Sequence, residues 1–586
     1  MSDIQPPAHR RARGRGLGRL AALLTALAVM LSLSGTAAFG AADVHGTALH
    51  PVVRVPAKAI DAVAQMQPSW NLGNTLDAIP DETAWGNPLT TKAIFDTVAA
   101  AGFRSVRIPV TWSNHQSATA PYSIDATFVA RVKQVVDWAQ ADGLYVVLDA
   151  HHDSVEWVNN ITTDHDNVMA RFASTWSQIS EAFKSEPRTL LFESINEPRF
   201  PGATAAQATQ YLNELNVSFH TVVRASGGVN ATRMLVLPTQ GGDGAQPLLD
   251  DLSTTINSLH DSQLVATVHF YSYYPFSANL AGGTLYGDIA QKYLDDSFAD
   301  MHDTFVAKGI PVYLGEYGLL TSPNYFHPES VERGEQLKYY EQLGYAARKY
   351  GVTTALWDAF NYLNRETLQW RDPDIFAVIK SSWTTRSGTA SFDKVFVSKS
   401  APITAESLTL NLNGTHFLGV WQGNTRLLQG RDYTVAGTTL TFTASALTRL
   451  VGDRAYGTDA TVQARFSTGV PWNIDIVTND NPSVAAATGT TDGLTIPTEY
   501  RGNNLATMYA TYADGTNAGP IDWTPYQTFN ETFSPDYPNS TIVLTPQFLA
   551  SLRDGVTATL VFYFYSGQTA TYKVTKNGST VTGTVG

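Results

Sequence analysis

At 586 residues the chain is too long for a single hydrophobic core, and a division into two to four domains is expected. A formal charge of −13 and a pI near 5.4 exclude the basic face that a nucleic acid or an anionic membrane would require. There are no cysteines, so disulfides and thiolate-bound zinc or haem play no part, while aromatic residues reach 11%, a surplus that flat neutral ligands such as sugars can use.

The N-terminus reads as an export signal over residues 1–42. Arg10, Arg11, Arg13, Arg15 and Arg19 precede an apolar run from Leu20 to Leu33, and small residues continue to Ala42. That run is short for a membrane span, so no membrane attachment is expected once the leader is removed. The Arg10-Arg11 pair admits a twin-arginine route, but the residues after it do not complete such a signal.

From Ser69 to about Ala359, short β-rich runs alternate with longer amphipathic stretches. The strand candidates are Trp70–Asn74, Ser105–Val110, Leu144–His151, Leu190–Asn196, Met234–Thr239, Val265–Tyr271, Val312–Glu316 and Thr353–Trp357. Helical patterns fall between them at Thr91–Ala101, Ala126–Ala141, Val168–Phe183, Ala205–Ala225, Ile289–Val306 and Ser330–Tyr350. Eight strands alternating with helices predict an α/β fold of the (β/α)8 TIM-barrel kind over residues 43–385. A doubly wound sheet is the competitor, yet no glycine-rich phosphate fingerprint follows the first strand.

After the polar hinge Thr385–Ala390 the texture changes to alternation of period two, at Ser407–Gly414, Asp432–Gly437 and Thr461–Phe466. These runs predict an all-β, immunoglobulin-like sandwich over residues 391–480. A second break at Asn479–Pro482 and Gly489–Gly493 leads to further strands at Leu505–Tyr512, Thr541–Leu544, Thr557–Tyr565 and Thr569–Thr575. They predict a second β-sandwich over residues 485–586.

Two predicted barrel strands end in an acid. In Ser194-Ile-Asn-Glu-Pro-Arg199, Pro198 biases Glu197 toward an extended backbone where the strand runs out into a loop. The plain alternative is a strand-capping glutamate paired with Arg199. In Val312-Tyr-Leu-Gly-Glu316, strict alternation places Val312, Leu314 and Glu316 on the barrel-filling face. Alternation sends Asn196 and Glu197 to opposite sides, so at least one of them lies beyond the regular ladder. Catalytic residues gather at the C-terminal strand ends of such barrels, and two carboxyls flanking a glycosidic bond can hydrolyse it with retention or inversion according to their separation.

The motifs Trp70–Ala78, Glu82–Pro88, Val106–Trp112, Asp149–His152, Ser194–Arg199, His269–Tyr271, Leu314–Gly318 and Leu356–Asp358 occur in the order seen in glycoside hydrolase family 5, and the first two resemble its subfamily 4. The resemblance covers the whole barrel. It implies a retaining endo-β-1,4-glucanase with Glu197 as acid/base and Glu316 as nucleophile, acting on xyloglucan, mixed-linkage β-glucan and soluble cellulose. A β-mannanase or xylanase on the same barrel and a non-catalytic polysaccharide-binding protein are the rivals.

Carried over motif by motif, Arg107 and Tyr271 would contact the nucleophile, and Asn196 would hold the sugar 2-hydroxyl. His151 and His269 would bind or position the sugar, and Trp357 would be the floor beneath it. An arginine near Glu316 keeps it ionised, whereas Glu197 as an acid needs a raised pKa. Without the resemblance, Arg107 reads equally as a tie between strands and Trp357 as core. The His151-His152 pair invites a metal, but neighbouring histidines on a strand diverge and no third ligand is evident, so neither metal nor cofactor is expected. Asp164 and Asp166 lack the spacing of a known calcium loop.

The stretch Lys394–Thr478 is similar to the immunoglobulin-like X-two modules that follow bacterial cellulase barrels, through Leu410–Gly414 and Gly430–Thr434. The last hundred residues resemble carbohydrate-binding module family 46, through Tyr509–Gly515, Asp522–Thr524 and Phe564–Gly567. Trp523 and Tyr565 are the candidate stacking rings, with core anchoring the alternative for Trp523; the family usually carries a tryptophan where Tyr565 stands. The whole implies a secreted, extracellular monomer whose partners are plant cell-wall β-glucans and not nucleic acids.

Overall fold

The computed structural model describes residues 54–320 and 330–586. The expected leader at residues 1–42 lies outside the described residues. Among the described residues no helix is long and apolar enough to cross a membrane.

Eight parallel strands close into a barrel in chain order: β1 (Ser69–Asn71), β2 (Ser105–Ile108), β3 (Tyr145–Asp149), β4 (Leu190–Glu193), β5 (Leu235–Pro238), β6 (Leu264–Phe270), β7 (Val312–Tyr317) and β8 (Thr353–Leu356). The strands are shorter than their apolar runs because the last residues of most runs have already left the ladder. Two of the longer barrel helices lie outside the predicted set, Gln246–Ser258 and Pro373–Ser382. In the first, Pro247 and a Ser/Thr-rich tail suggest a turn, yet Leu249, Leu252, Ser253 and Ile256 recur on one buried face. Proline is harmless there because it stands in the first turn, where its missing N–H has no intrahelical partner.

Two apolar layers organise the barrel. Alternate strand residues such as Val106, Leu148, Phe192, Leu314 and Leu356 pack outward in the large core shared with the helices. Tyr145, Val147, Leu191, Val236, Val265, Tyr313 and Ala355 fill the axis, together with Ala59, Ala62, Val63 and Met66 around the short helix Ala59–Ala64. That helix closes the N-terminal mouth: Ser105 and Thr353, at the starts of β2 and β8, donate from their hydroxyls to the carbonyls of Met66 and Val63. The axis is therefore solid at one end, and a cleft can open only at the C-terminal strand ends.

Two all-β modules follow. The first pairs a four-stranded sheet with a five-stranded one; its longest strands are Gly457–Phe466 and Trp472–Asn479. Its apolar centre is continuous with the outer core of the barrel. Ion pairs Arg386–Glu341 and Lys394–Glu332 add to that contact. The second module, again a four- and a five-stranded sheet, has its own core around Met508, Phe548, Phe562 and Tyr572. It docks on the loop after β6: the Asn279 amide donates to the carbonyls of Ser330 (2.6 Å) and Ala506 (3.0 Å). The Phe529 N–H donates to the Asn279 carbonyl (3.3 Å).

Candidate active site

Arg107 organises the C-terminal end of the barrel. Alternation along β2 turns it inward, where it is fully buried. Nε and Nη2 donate to the two oxygens of Glu193 at 2.7 and 2.9 Å, and Nη1 donates to Oε1 of Glu316 at 2.8 Å. Nη2 also donates to Oδ1 of Asn196 at 2.9 Å and lies 2.8 Å from Oδ2 of Asp149. Burial opposes the guanidinium charge, but Glu193, Asp149 and Glu316 outweigh it and hold the pKa above its ordinary value. One cation cannot neutralise three acids: burial pushes the Asp149 carboxyl up to about 7 despite Arg107 beside it.

Glu316 does face the axis, but not by regular alternation. Tyr313 fills the axis, and Val312 and Leu314 face the helices. The ladder slips at Gly315: against β6, Val268 pairs with Leu314 and His269 with Glu316, and the pairing with β8 jumps from Leu314 to Tyr317. This β-bulge re-aims the next side chain inward. Gly315 permits it, since a Cβ there would stand 2.9 Å from Oγ1 of Thr267 and 3.0 Å from Nε2 of His269. Tyr271 donates its hydroxyl to Oε2 of Glu316 at 2.6 Å, so both carboxylate oxygens are held. Burial raises the Glu316 pKa, but His269 and Arg107 bring it below the usual carboxylate value.

Glu197 corrects a second expectation. Its φ is +37°, in the left-handed region and not extended, because β4 ends at Glu193 and both Asn196 and Glu197 lie past the ladder. Such a backbone is costly for a residue with a side chain and persists where surrounding contacts over-determine it. The plain reading of a cap paired with Arg199 is weak: that pair is 3.9 Å apart and its arginine is largely exposed. Oε1 of Glu197 instead meets Nδ1 of His269 at 2.9 Å. The same nitrogen is 3.6 Å from Oε2 of Glu316. Gly242, at φ +68°, backs the imidazole, where a Cβ would come within 3.1 Å of the ring.

The carboxyl pKa of Glu197 is also lowered, not raised: burial would raise it, but the His269 hydrogen bond and charge prevail. His269 responds in the opposite sense, for burial disfavours its charge while Glu316 and Glu197 raise its pKa.

The remaining wall comes from β3 and β8. His151 follows Asp149, whose Oδ2 is 2.7 Å from its Nδ1, and its ring is parallel to that of Trp357 with centroids 5.7 Å apart. Trp357, past the end of β8, is 7% exposed. Glu197, Glu316, Arg107, Asn196, His151, His269, Tyr271 and Trp357 are thus linked through direct contacts and neighbouring strand ends. Sequence reasoning missed Glu193 and Asp149, the other two acids on Arg107, although each ends a buried apolar strand, which is the signal that singled out Glu316.

In the second module Trp523 is 66% exposed. Tyr565, by contrast, is no open platform. It has passed the end of its strand, Thr557–Phe564, and faces Phe392 of the first module at 6.1 Å. With Glu332, Lys394 and Tyr537 it lines a cavity of about 310 Å³ where the barrel and both modules meet.

A barrel whose strand ends bring two carboxylates to one histidine, Glu316 held besides by Arg107, is the layout of an enzyme that cleaves glycosidic bonds, and the comparisons with known proteins agree. Residues 70–362 match the family described as cellulase (glycosyl hydrolase family 5), residues 387–476 carbohydrate binding domain X2, and residues 480–584 the carbohydrate binding domain CBM46. The chain is 44% identical over 562 residues to Endoglucanase B of Paenibacillus lautus, covering 95% of this chain and 98% of that one. The tri-modular endo-β-1,4-glucanase B of Bacillus halodurans superposes with a TM-score of 0.88 at 40% identity, over 90% of this chain and 99% of that one. A tri-modular family 5, subfamily 4 endo-β-1,4-glucanase of Bacillus licheniformis complexed with cellotetraose superposes at 0.76 with 30% identity, over 89% of this chain and all of the other. The protein is a glycoside hydrolase. It belongs to glycosyl hydrolase family 5, with two carbohydrate-binding modules behind its barrel.

Proposed function

We propose that the protein is a secreted, monomeric, retaining endo-β-1,4-glucanase acting on plant cell-wall β-glucans. One observation carries the retaining reading: a carboxylate oxygen of Glu197, one of Glu316 and a nitrogen of His269 lie within 4.8 Å of one another. Retaining pairs stand about 5–5.5 Å apart, while inverting pairs need roughly 6.5–9.5 Å to admit a water.

In the first step Glu316 attacks the anomeric carbon, the bond to the leaving sugar breaks, and Glu197 passes a proton to the departing oxygen. At rest that proton sits on His269 and reaches Glu197 across their hydrogen bond. Once Glu316 is esterified its charge is gone, which favours an ionised Glu197. In the second step Glu197 takes a proton from water, the oxygen attacks the same carbon, and Glu316 is released. Arg107 and Tyr271 hold both Glu316 oxygens, Asn196 meets the 2-hydroxyl, His151 contacts the sugar, and Trp357 lies beneath it.

The names of the relatives and the cellotetraose of the Bacillus licheniformis complex favour a β-1,4-glucan backbone, with xyloglucan and mixed-linkage glucan as first candidates. Proton NMR of the first product from a β-glucan oligosaccharide tests the mechanism: a β-anomer is expected, and an α-anomer overturns retention. Initial rates on purified glucan, xyloglucan, mannan and xylan separate the glucanase from a mannanase or xylanase.

A further inference from the structure

The cleft holds a second group of ligating side chains, of which the proposed function uses His151 alone. His151 and His152 follow β3 where the chain turns into the short helix Asp153–Glu156, so their rings do not diverge as they would on a strand. The centroids lie 4.7 Å apart with the planes nearly perpendicular. Asp77, in the loop after β1, reaches the same place. It is fully buried, its oxygens accepting the backbone N–H groups of Asn74 (3.1 Å) and Thr75 (2.7 Å). Its Oδ2 is 3.5 Å from Nε2 of His152. One ligating atom from each of Asp77, His151 and His152 lies within 4.8 Å of the other two.

Two further features point to a ligand. Nε2 of His152 is buried with only the long 3.5 Å approach to Oδ2 of Asp77 and no hydrogen bond of good geometry, and a buried polar atom so poorly satisfied calls for a partner. Nδ1 of His151 sits 2.7 Å from the Asp149 carboxylate. With Asp149 accepting from an Nδ1–H, the Nε2 lone pair is free, which is the carboxylate backing that orients metal-binding histidines. The His152 side chain is 27% exposed beside Trp85, which leaves a way in from the cleft.

We propose that Asp77, His151 and His152 form a site for a borderline divalent cation, Zn²⁺ foremost. Two imidazoles and one carboxylate suit zinc with an open position for water, whereas calcium and magnesium would find a single oxygen. A bound ion takes the nitrogen of His151 that the proposed function gives to the sugar, so occupancy inhibits hydrolysis. This last clause alone rests on that function.

The test is calorimetric titration of the metal-stripped full chain with ZnCl2 at neutral pH. One ion per chain is expected. Its affinity should fall at least about tenfold in His152→Ala, with unchanged far-UV circular dichroism, and stay within about twofold in Glu316→Gln. Co²⁺ should give the visible d–d bands of a low-coordinate site, absent in His152→Ala. No binding to the native chain, equal binding in His152→Ala, or loss in Glu316→Gln instead, which would place the ion at Glu197, His269 and Glu316, each overturns the site. Zinc that binds without slowing hydrolysis overturns the inhibition alone.

Discussion

Nδ1 of His269 lies 2.9 Å from Oε1 of Glu197, so one imidazole is hydrogen-bonded to that carboxyl while a second carboxyl, Glu316, stands 3.6 Å from the same nitrogen. An isolated acid would need its own raised pKa. Here the Glu197 pKa is lowered and that of His269 raised, and the proposed mechanism therefore draws its proton from the pair and not from Glu197 alone.

His269→Asn removes a positive neighbour from Glu316, whose pKa His269 lowers. As the proposed nucleophile Glu316 must be ionised, so activity should fall as pH drops through its pKa. Without the imidazolium that pKa is higher, and the acid limb of the kcat/KM profile should move to higher pH. The value of kcat should fall about a hundredfold at the optimum, since the proton store is gone. An acid limb that stays in place contradicts the coupling.

Glu316→Gln keeps the shape of the side chain and removes the charge. Turnover should fall by at least about a thousandfold while cellotetraose still binds. His269 and Arg107 hold the Glu316 pKa below the usual carboxylate range, so the fold stabilises its charge, and the melting temperature should fall below that of the native chain. Near-native turnover in the purified variant would remove Glu316 from the chemistry.

Glu193→Gln tests the other side of the same guanidinium. Glu193 is the fully buried bidentate partner of Arg107, and removing one member of a buried pair costs about 3 kcal/mol. Urea denaturation should show a loss of that size, whereas a change within about 0.5 kcal/mol would make the pair dispensable.

The barrel was legible because its signal is local: each β-run ends in turn chemistry and each helix carries a one-sided apolar stripe. The direction of Glu316 was inferred correctly from a wrong premise. Alternation takes no account of a bulge, and only the Gly315 register slip shows that Val312 and Leu314 face outward. The backbone of Glu197 was misread for a related reason, since the bias from Pro198 yields to the contacts beyond β4. Glu193 and Asp149 carry the same strand-end signal as Glu316, but only the fold shows that all three converge on Arg107. The contact of Tyr565 with Phe392 is one between modules, which no period-two pattern encodes.

Asn279→Ala probes the docking of the C-terminal module. Its amide satisfies carbonyls on both sides of the contact, at Ser330 and Ala506, and it is 1% exposed. Leaving those carbonyls unpaired costs about 1–3 kcal/mol. Limited proteolysis should then release the segment beyond Asp480 faster than from the native chain. Equal rates would mean that the contact through Asn279 does not hold the module.

Trp523→Ala separates polysaccharide binding from folding. The indole is two-thirds exposed and absent from the module's apolar core, so stability should change by less than about 0.5 kcal/mol. If the ring stacks on a sugar, its loss removes about 1 kcal/mol of binding, or roughly a fivefold rise in KM on polymeric β-glucan. Hydrolysis of a short oligosaccharide, which spans only the barrel cleft, should be unaffected. A variant that loses both activities equally has been damaged in the barrel, and one that loses neither shows that Trp523 touches no substrate.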